Sequence, residues 1–267
     1  MKFLFPIFAL CALLSSCQAL AGSQAGTEAK FAPETITAFA KNVEKYAAAQ
    51  GAGAFIIGRI GRPQQELPKG IRFTHTAIAV YSAITLKDGS TVNGYAIHNL
   101  YQETGKPDVS ALVVDYPVDF FWGVHELSAG IIIPTPELQQ RIIAAISSGK
   151  NKAVHNPAYS VIASPYNNEL QNCTEHTLNI INASIYQTTD MRQLKANARA
   201  HFKGQRVRSS RFKLMLGSLF MDDVTTRDHD GKVVTTTFST IGRYLQQNGL
   251  VKHMAVFNRD GSSGELL

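Results

Sequence analysis

With 267 residues, 45% of them hydrophobic and 17% charged, the chain can bury a sizeable core and is not a disordered polymer. A formal charge of +6 and a pI near 9.2 favour anionic surfaces such as phospholipid, cell-wall polymer or nucleic acid, and an export signal argues against the last. The sequence has no internal repeat, Gly-rich phosphate loop or paired-cysteine metal knuckle, so neither a cofactor nor a metal is expected.

Met1-Lys2, an apolar stretch from Phe3 to Leu14 and then small residues read as a secretory signal, too short for a membrane span. Ala19-Leu20-Ala21 offers a cleavage site, so the mature chain is expected to begin at Gly22, in the periplasm or outside the cell. The alternative is the lipoprotein box Leu14-Ser15-Ser16-Cys17, with Cys17 acylated and the protein tethered. No later apolar run is long enough to span a bilayer.

Glu34 to Gln50 carries Ile36, Phe39, Ala40, Val43 and Ala47 at helical spacing, and Gly51-Ala52-Gly53 ends it. Ala54 to Ile60 reads as an apolar strand and Gly61 to Gly70 as a loop. Phe73 to Ile84 and Thr91 to Gln102 are strands flanking Asp88-Gly89, a hairpin turn signal. Ala111 to Val114 and Gly130 to Ile133 are further strands, separated by Phe120-Phe121-Trp122, and Pro136 to Ser147 is a helix. Lys152 to Asn168 shows no period. A basic helical stretch runs from Asp190 to about Phe220, followed by strand Val233 to Phe238, helix Thr240 to Gln247 and strand Val251 to Phe257. The mixture is α+β.

Loss of the signal removes Cys11 and Cys17 and leaves Cys173, in Gln171-Asn172-Cys173-Thr174-Glu175-His176. A lone thiol in an exported protein has no disulfide role within the chain. Asn172 is a good N-cap and Glu175 completes the spacing of a capping box, which puts Cys173 in a first helical turn. Free N–H groups and the helix dipole there favour a thiolate, hence a thiol pKa below that of a free cysteine. His75, on a strand among small residues, is the candidate base, and His98 the candidate group to orient it. A two-residue Asp88-Gly89 turn sets His75 opposite Gln102 and puts His98 roughly 13 Å away along the same face. Gln102 is therefore the geometric candidate for the orienting role and His98 the chemical one.

A histidine early on one strand, a polar residue on the next and a late Asn-Cys opening a helix resemble the circularly permuted branch of the NlpC-type, papain-like superfamily, which includes lecithin:retinol acyltransferase. The likeness covers about Ala54 to Ala183. Ile132-Ile133-Pro134-Thr135-Pro136-Glu137-Leu138-Gln139, together with the Cys173 string, also resembles a family of exported bacterial proteins without an assigned function. The first resemblance implies a papain-like core, with the nucleophile helix packed on an antiparallel sheet. It implies Cys173 as nucleophile and His75 as base, with Asn172 and the Cys173 N–H as candidates for the oxyanion hole. The branch cleaves or transfers acyl groups at amides and esters.

The expected organisation is a signal over 1–21, a papain-like core over 22–189 and a basic α/β extension over 190–267. The expected activity is that of a thiol hydrolase or acyltransferase acting on a cell-envelope peptide or lipid. The rival is a non-catalytic envelope protein that binds such a ligand in the same groove. A zinc site from Cys173, His176, His75 and His98 has too few thiolates for a structural site and lacks the usual catalytic set. Asp190 to Lys213 holds Arg192, Lys195, Arg199, Lys203, Arg206, Arg208, Arg211 and Lys213 against a single carboxylate. Arg206, Arg208, Arg211 and Lys213 are the candidates for contact with anionic envelope surfaces.

Overall fold

A computed structural model describes residues 28–207 and 225–267. The first element is α1 (Pro33–Ala49), whose Ile36, Phe39, Ala40, Val43 and Ala47 are buried at the spacing read from the sequence. A seven-stranded sheet follows, built from β1 (Ala54–Ile60), β2 (His75–Thr85), β3 (Thr91–Glu103), β4 (Lys106–Asp115), β5 (Glu126–Pro134), β8 (Val251–Asn258) and β9 (Ser263–Gly264). Its order is β4-β3-β2-β1-β5-β8-β9 and every pairing is antiparallel. Helices α2 (Pro117–Phe120), α3 (Pro136–Ser147), α4 (Lys150–Ala153), α5 (Cys173–Tyr186), α6 (Met191–His201) and α7 (Phe238–Gln247) complete the main architecture, with a small β6 (Gln205–Arg206) and β7 (Val234–Thr235) pair. The fold is α+β.

Both faces of the sheet are covered, which is why β1 is buried along its whole length and shows no alternation. One face carries Phe55, Ile57, Ala77, Ala79, Tyr95 and Ile97, packed with α1 and the Phe120–Phe121 pair. The other carries Ile56, Ile78, Val80 and Ile132, packed with α3, α5, α6 and α7.

The β2–β3 hairpin departs from the expected turn. Its ladder pairs Thr85 with Thr91, Leu86 N–H donates to Ser90 O, and Gly89 takes φ +83°. The connection is therefore the three residues Lys87, Asp88 and Gly89, with glycine at the left-handed position, instead of a two-residue Asp88-Gly89 turn. The pairing moves by one residue, and a one-residue slip exchanges the two faces of a strand. A second tight turn at Thr104-Gly105 starts β4 at Lys106, so the expected Ala111–Val114 strand is the end of a longer one.

The chain after α5 also differs from expectation. The helix expected from Asp190 to about Phe220 stops at His201, and the chain is extended by Gln205. Thr237 and Thr240 form a reciprocal cap, so α7 begins at Phe238 and only Val234–Thr235 of the expected strand pairs. The Phe238 ring lies over the paired glycines Gly58 and Gly130, where an added Cβ would come within 2.9 Å and 2.5 Å of it. That seat fixes the segment Thr235–Thr237 against the start of α5.

Candidate active site

Cys173 opens α5, and Asn172 caps it by accepting the Glu175 N–H at 2.9 Å. The capping box is only half made, because the Glu175 carboxylate turns inward to Lys195 of α6, which also donates to Asn179 Oδ1 at 3.1 Å. Both members of this ion pair are buried. The Thr174 hydroxyl lies 2.8 Å from Asn172 Oδ1 and 3.1 Å from the Thr236 carbonyl. Asn172 Nδ2 donates to Val161 O at 2.9 Å. The expectation that Asn172 serves an oxyanion hole is corrected on this point, since its amide is committed to capping the helix and tying down a loop.

Cys173 is 5% exposed. β2 and β3 pair only from Ile78–His98 to the turn. The Tyr81 N–H points to β1, so by alternation that of Thr76 points to the side that β3 has left. That N–H, with the N–H and hydroxyl of Thr174, acts to lower the Cys173 thiol pKa. Burial outweighs these donors and the nearby Arg59 charge, and pushes the thiol above its usual value. The low-pKa thiolate expected from the helix start is thus replaced by a neutral thiol, because desolvation exceeds what a few N–H donors return.

His75 is fully buried at the start of β2. Its Nε2 is 2.9 Å from Asn99 Oδ1, and its ring stacks on Tyr101 at 4.7 Å and 15°. Asn99 Nδ2 donates to Asp115 Oδ1 at 2.7 Å and to Ile97 O at 3.0 Å, while the Tyr101 hydroxyl donates to Asp115 Oδ2 at 2.8 Å. His75 Nδ1 has no hydrogen-bond partner. Burial, then the Arg59 charge, push His75 well below its ordinary value, so the ring is neutral. Burial raises Asp115 to about 6 against the pull of Tyr101, Arg59 and Asn99.

Neither expected orienting residue touches His75. His98 pairs with Ile78 and Gln102 with Ser110, which places both on the opposite face, and Gln102 Nε2 donates to Pro107 O at 2.8 Å. Asn99 holds the position instead. A three-residue reading of Lys87-Asp88-Gly89 identifies it from sequence, because pairing then sets Tyr101 across from His75 and Asn99 two residues back on the same face.

His75 and the helix that carries Cys173 lie on different faces of the sheet. His75 projects with Ala77 and Ala79 toward Phe120, whereas α5 packs on the face of Ile78 and Val80. The link between the two groups runs through Thr76, the residue after His75, whose N–H favours the Cys173 thiolate. The charge of a Cys173 thiolate would be felt by Tyr101 and Arg59, which share the His75 face. No hydrogen bond joins His75 Nδ1 to the sulfur.

His176 turns to His155, ring centroids 5.8 Å apart, and burial drives it down to about 3. With His75 and His98 on opposite faces, the four-residue zinc set does not assemble, and among the described residues no group of three or more His, Cys, Asp or Glu could hold a metal. Arg206 is exposed on β6, and Arg208, Arg211 and Lys213 lie outside the described residues. Among the described residues, no helix is long and apolar enough to cross a membrane.

The profile of a family described as "Uncharacterized protein conserved in bacteria (DUF2145)" matches residues 46–245. The chain belongs to this family. No curated protein and no solved structure matches the chain. The DUF2145 stretch runs from the last turn of α1 into α7, so it contains His75, Asn99, Asp115 and Cys173 together with the Phe238 seat.

Proposed function

We propose that the protein is an exported thiol hydrolase or acyltransferase acting on an amide or ester of a cell-envelope peptide or lipid. Cys173 is the nucleophile, His75 the base and Asn99 the group that orients it, in a core of the permuted papain-like kind. The observation that carries this reading is the bond from His75 Nε2 to Asn99 Oδ1, which leaves Nδ1 without a partner, beside a residue, Thr76, whose N–H acts on the Cys173 thiol. Because thiol and imidazole are both neutral at rest, proton transfer to Nδ1 accompanies attack of sulfur on the carbonyl. The imidazolium then returns its proton to the departing amine or alkoxide, and water or an acceptor releases the acyl group from sulfur. The N–H groups of Thr76 and Thr174, which act on the thiol, are the donors available to a developing oxyanion. The mature chain is taken to start at Gly22, or at an acylated Cys17. Arg206, Arg208, Arg211 and Lys213 are taken to hold it to anionic envelope surfaces.

The burial of Cys173 and His75 favours a second reading, a non-catalytic envelope protein that binds such ligands. Incubation with cell-wall fragments and phospholipid separates the two. The enzyme reading requires new hydrolysed or acyl-transferred products that disappear in Cys173→Ser; binding with no product in either protein supports the second.

A further inference from the structure

We infer that Asp115 is a positioning residue that selects which nitrogen of His75 carries the proton. The consequence for catalysis rests on the reading of His75 as a base, but the selection itself is a matter of hydrogen-bond polarity. An asparagine amide has one accepting end and one donating end, and it can turn over. At Asn99 the donating end has two acceptors, Asp115 Oδ1 at 2.7 Å and Ile97 O at 3.0 Å. Turning the amide over would set its oxygen against a carboxylate oxygen and a carbonyl oxygen at once, in a site where Asn99 is buried and water cannot screen the repulsion. The bond to the carboxylate is the charge-assisted one and therefore the stronger constraint.

With that end fixed, the accepting end must face His75. Asn99 Oδ1 lies 2.9 Å from Nε2 and can only accept, so Nε2 bears the hydrogen and Nδ1 keeps its lone pair. The carboxylate is itself held, because Tyr101 donates to its other oxygen at 2.8 Å while the Tyr101 ring lies flat against the imidazole. Asp115 thus acts on His75 through Asn99 and through Tyr101 without touching the ring. Without Asp115 only the Ile97 carbonyl would oppose the turned-over amide, and the two tautomers would compete. Asp115 sits at the end of β4, outside the β2–β3 hairpin that carries His75, Asn99 and Tyr101, and the β3–β4 pairing of Ile97 with Asp115 brings it to the site.

The test reads the tautomer directly, in the full mature chain labelled with 15N-histidine, by two-bond proton–nitrogen correlation. The wild type should show His75 as a single neutral tautomer protonated at Nε2. Asp115→Asn keeps an accepting oxygen and should retain it. Asp115→Leu removes the acceptor and should give a mixture containing the Nδ1-protonated form, and Asp115→Ser, too short to reach Asn99, should do the same if the leucine variant does not fold. Alkylation of Cys173 at neutral pH should slow on the order of 10-fold in the variants that lose the single tautomer. A single Nε2-protonated form in both Asp115→Leu and Asp115→Ser overturns the inference, whatever Cys173 does. A tautomer shift with unchanged Cys173 reactivity upholds Asp115 as the selector and counts against His75 as the base.

Discussion

At the scale of single residues, the chemistry of the site is set by what burial does to two ionisable groups. Cys173 is raised by desolvation and His75 lowered by it, so the pair rests as thiol and imidazole instead of an ion pair. Iodoacetamide should therefore label native Cys173 slowly at neutral pH, with an inflection above the ordinary 9.0 of the thiol, and labelling should accelerate when the chain is unfolded in urea. An inflection below that value would restore the thiolate expected from the helix start. The roles of Cys173 and Asn172 at that start were legible in sequence, because N-cap chemistry is local. Asn99 was not. Its identification depends on whether Lys87 belongs to the turn, and both readings of Lys87-Asp88-Gly89 place a glycine where a hairpin accepts one.

At the scale of elements, helices with a marked apolar stripe and the main strands follow from residue periodicity, as α1 and α3 show. Endings that depend on distant partners do not. The basic stretch after Asp190 breaks at His201, and Lys195 within it is no surface charge, because Glu175 of another helix takes it inside. The seating of Phe238 on Gly58 and Gly130 is equally invisible locally, since the glycines are far from the ring in sequence. Gly130→Ala should push that ring away and destabilise the protein by about 1–3 kcal/mol in urea unfolding, the usual cost of overpacking. A cost near zero would mean that the ring is not seated there.

For the whole molecule, the C-terminal residues add β8 beside β5, so the sheet that carries His75 is completed by chain far beyond Cys173. Such non-local pairing is beyond the reach of periodicity, which places a strand without naming its neighbour. The buried histidines also make a global statement. His75 lies well below 6.5 and His176 near 3, so both stay neutral in the fold while the unfolded chain takes up protons. The unfolded state then binds more protons, and stability present above pH 6.5 is lost as pH falls. Each such histidine contributes a slope of about 1.4 kcal/mol per pH unit. Below about 6 the raised Asp115 offsets part of it, because there the folded state takes up a proton first. Urea unfolding at successive pH values should show this loss, and His176→Gln should make it shallower. A stability that is flat below 6.5 would contradict neutral burial.

The central claim is that Cys173 attacks a carbonyl with help from His75. Intact-mass analysis after brief exposure to an activated ester tests it most directly, with the modified residue located by peptide mapping. The account predicts one acyl group on Cys173 in the wild type, its loss in Cys173→Ser, and at least a tenfold slower appearance in His75→Gln. No acylation of Cys173, or equal acylation with and without His75, would contradict it.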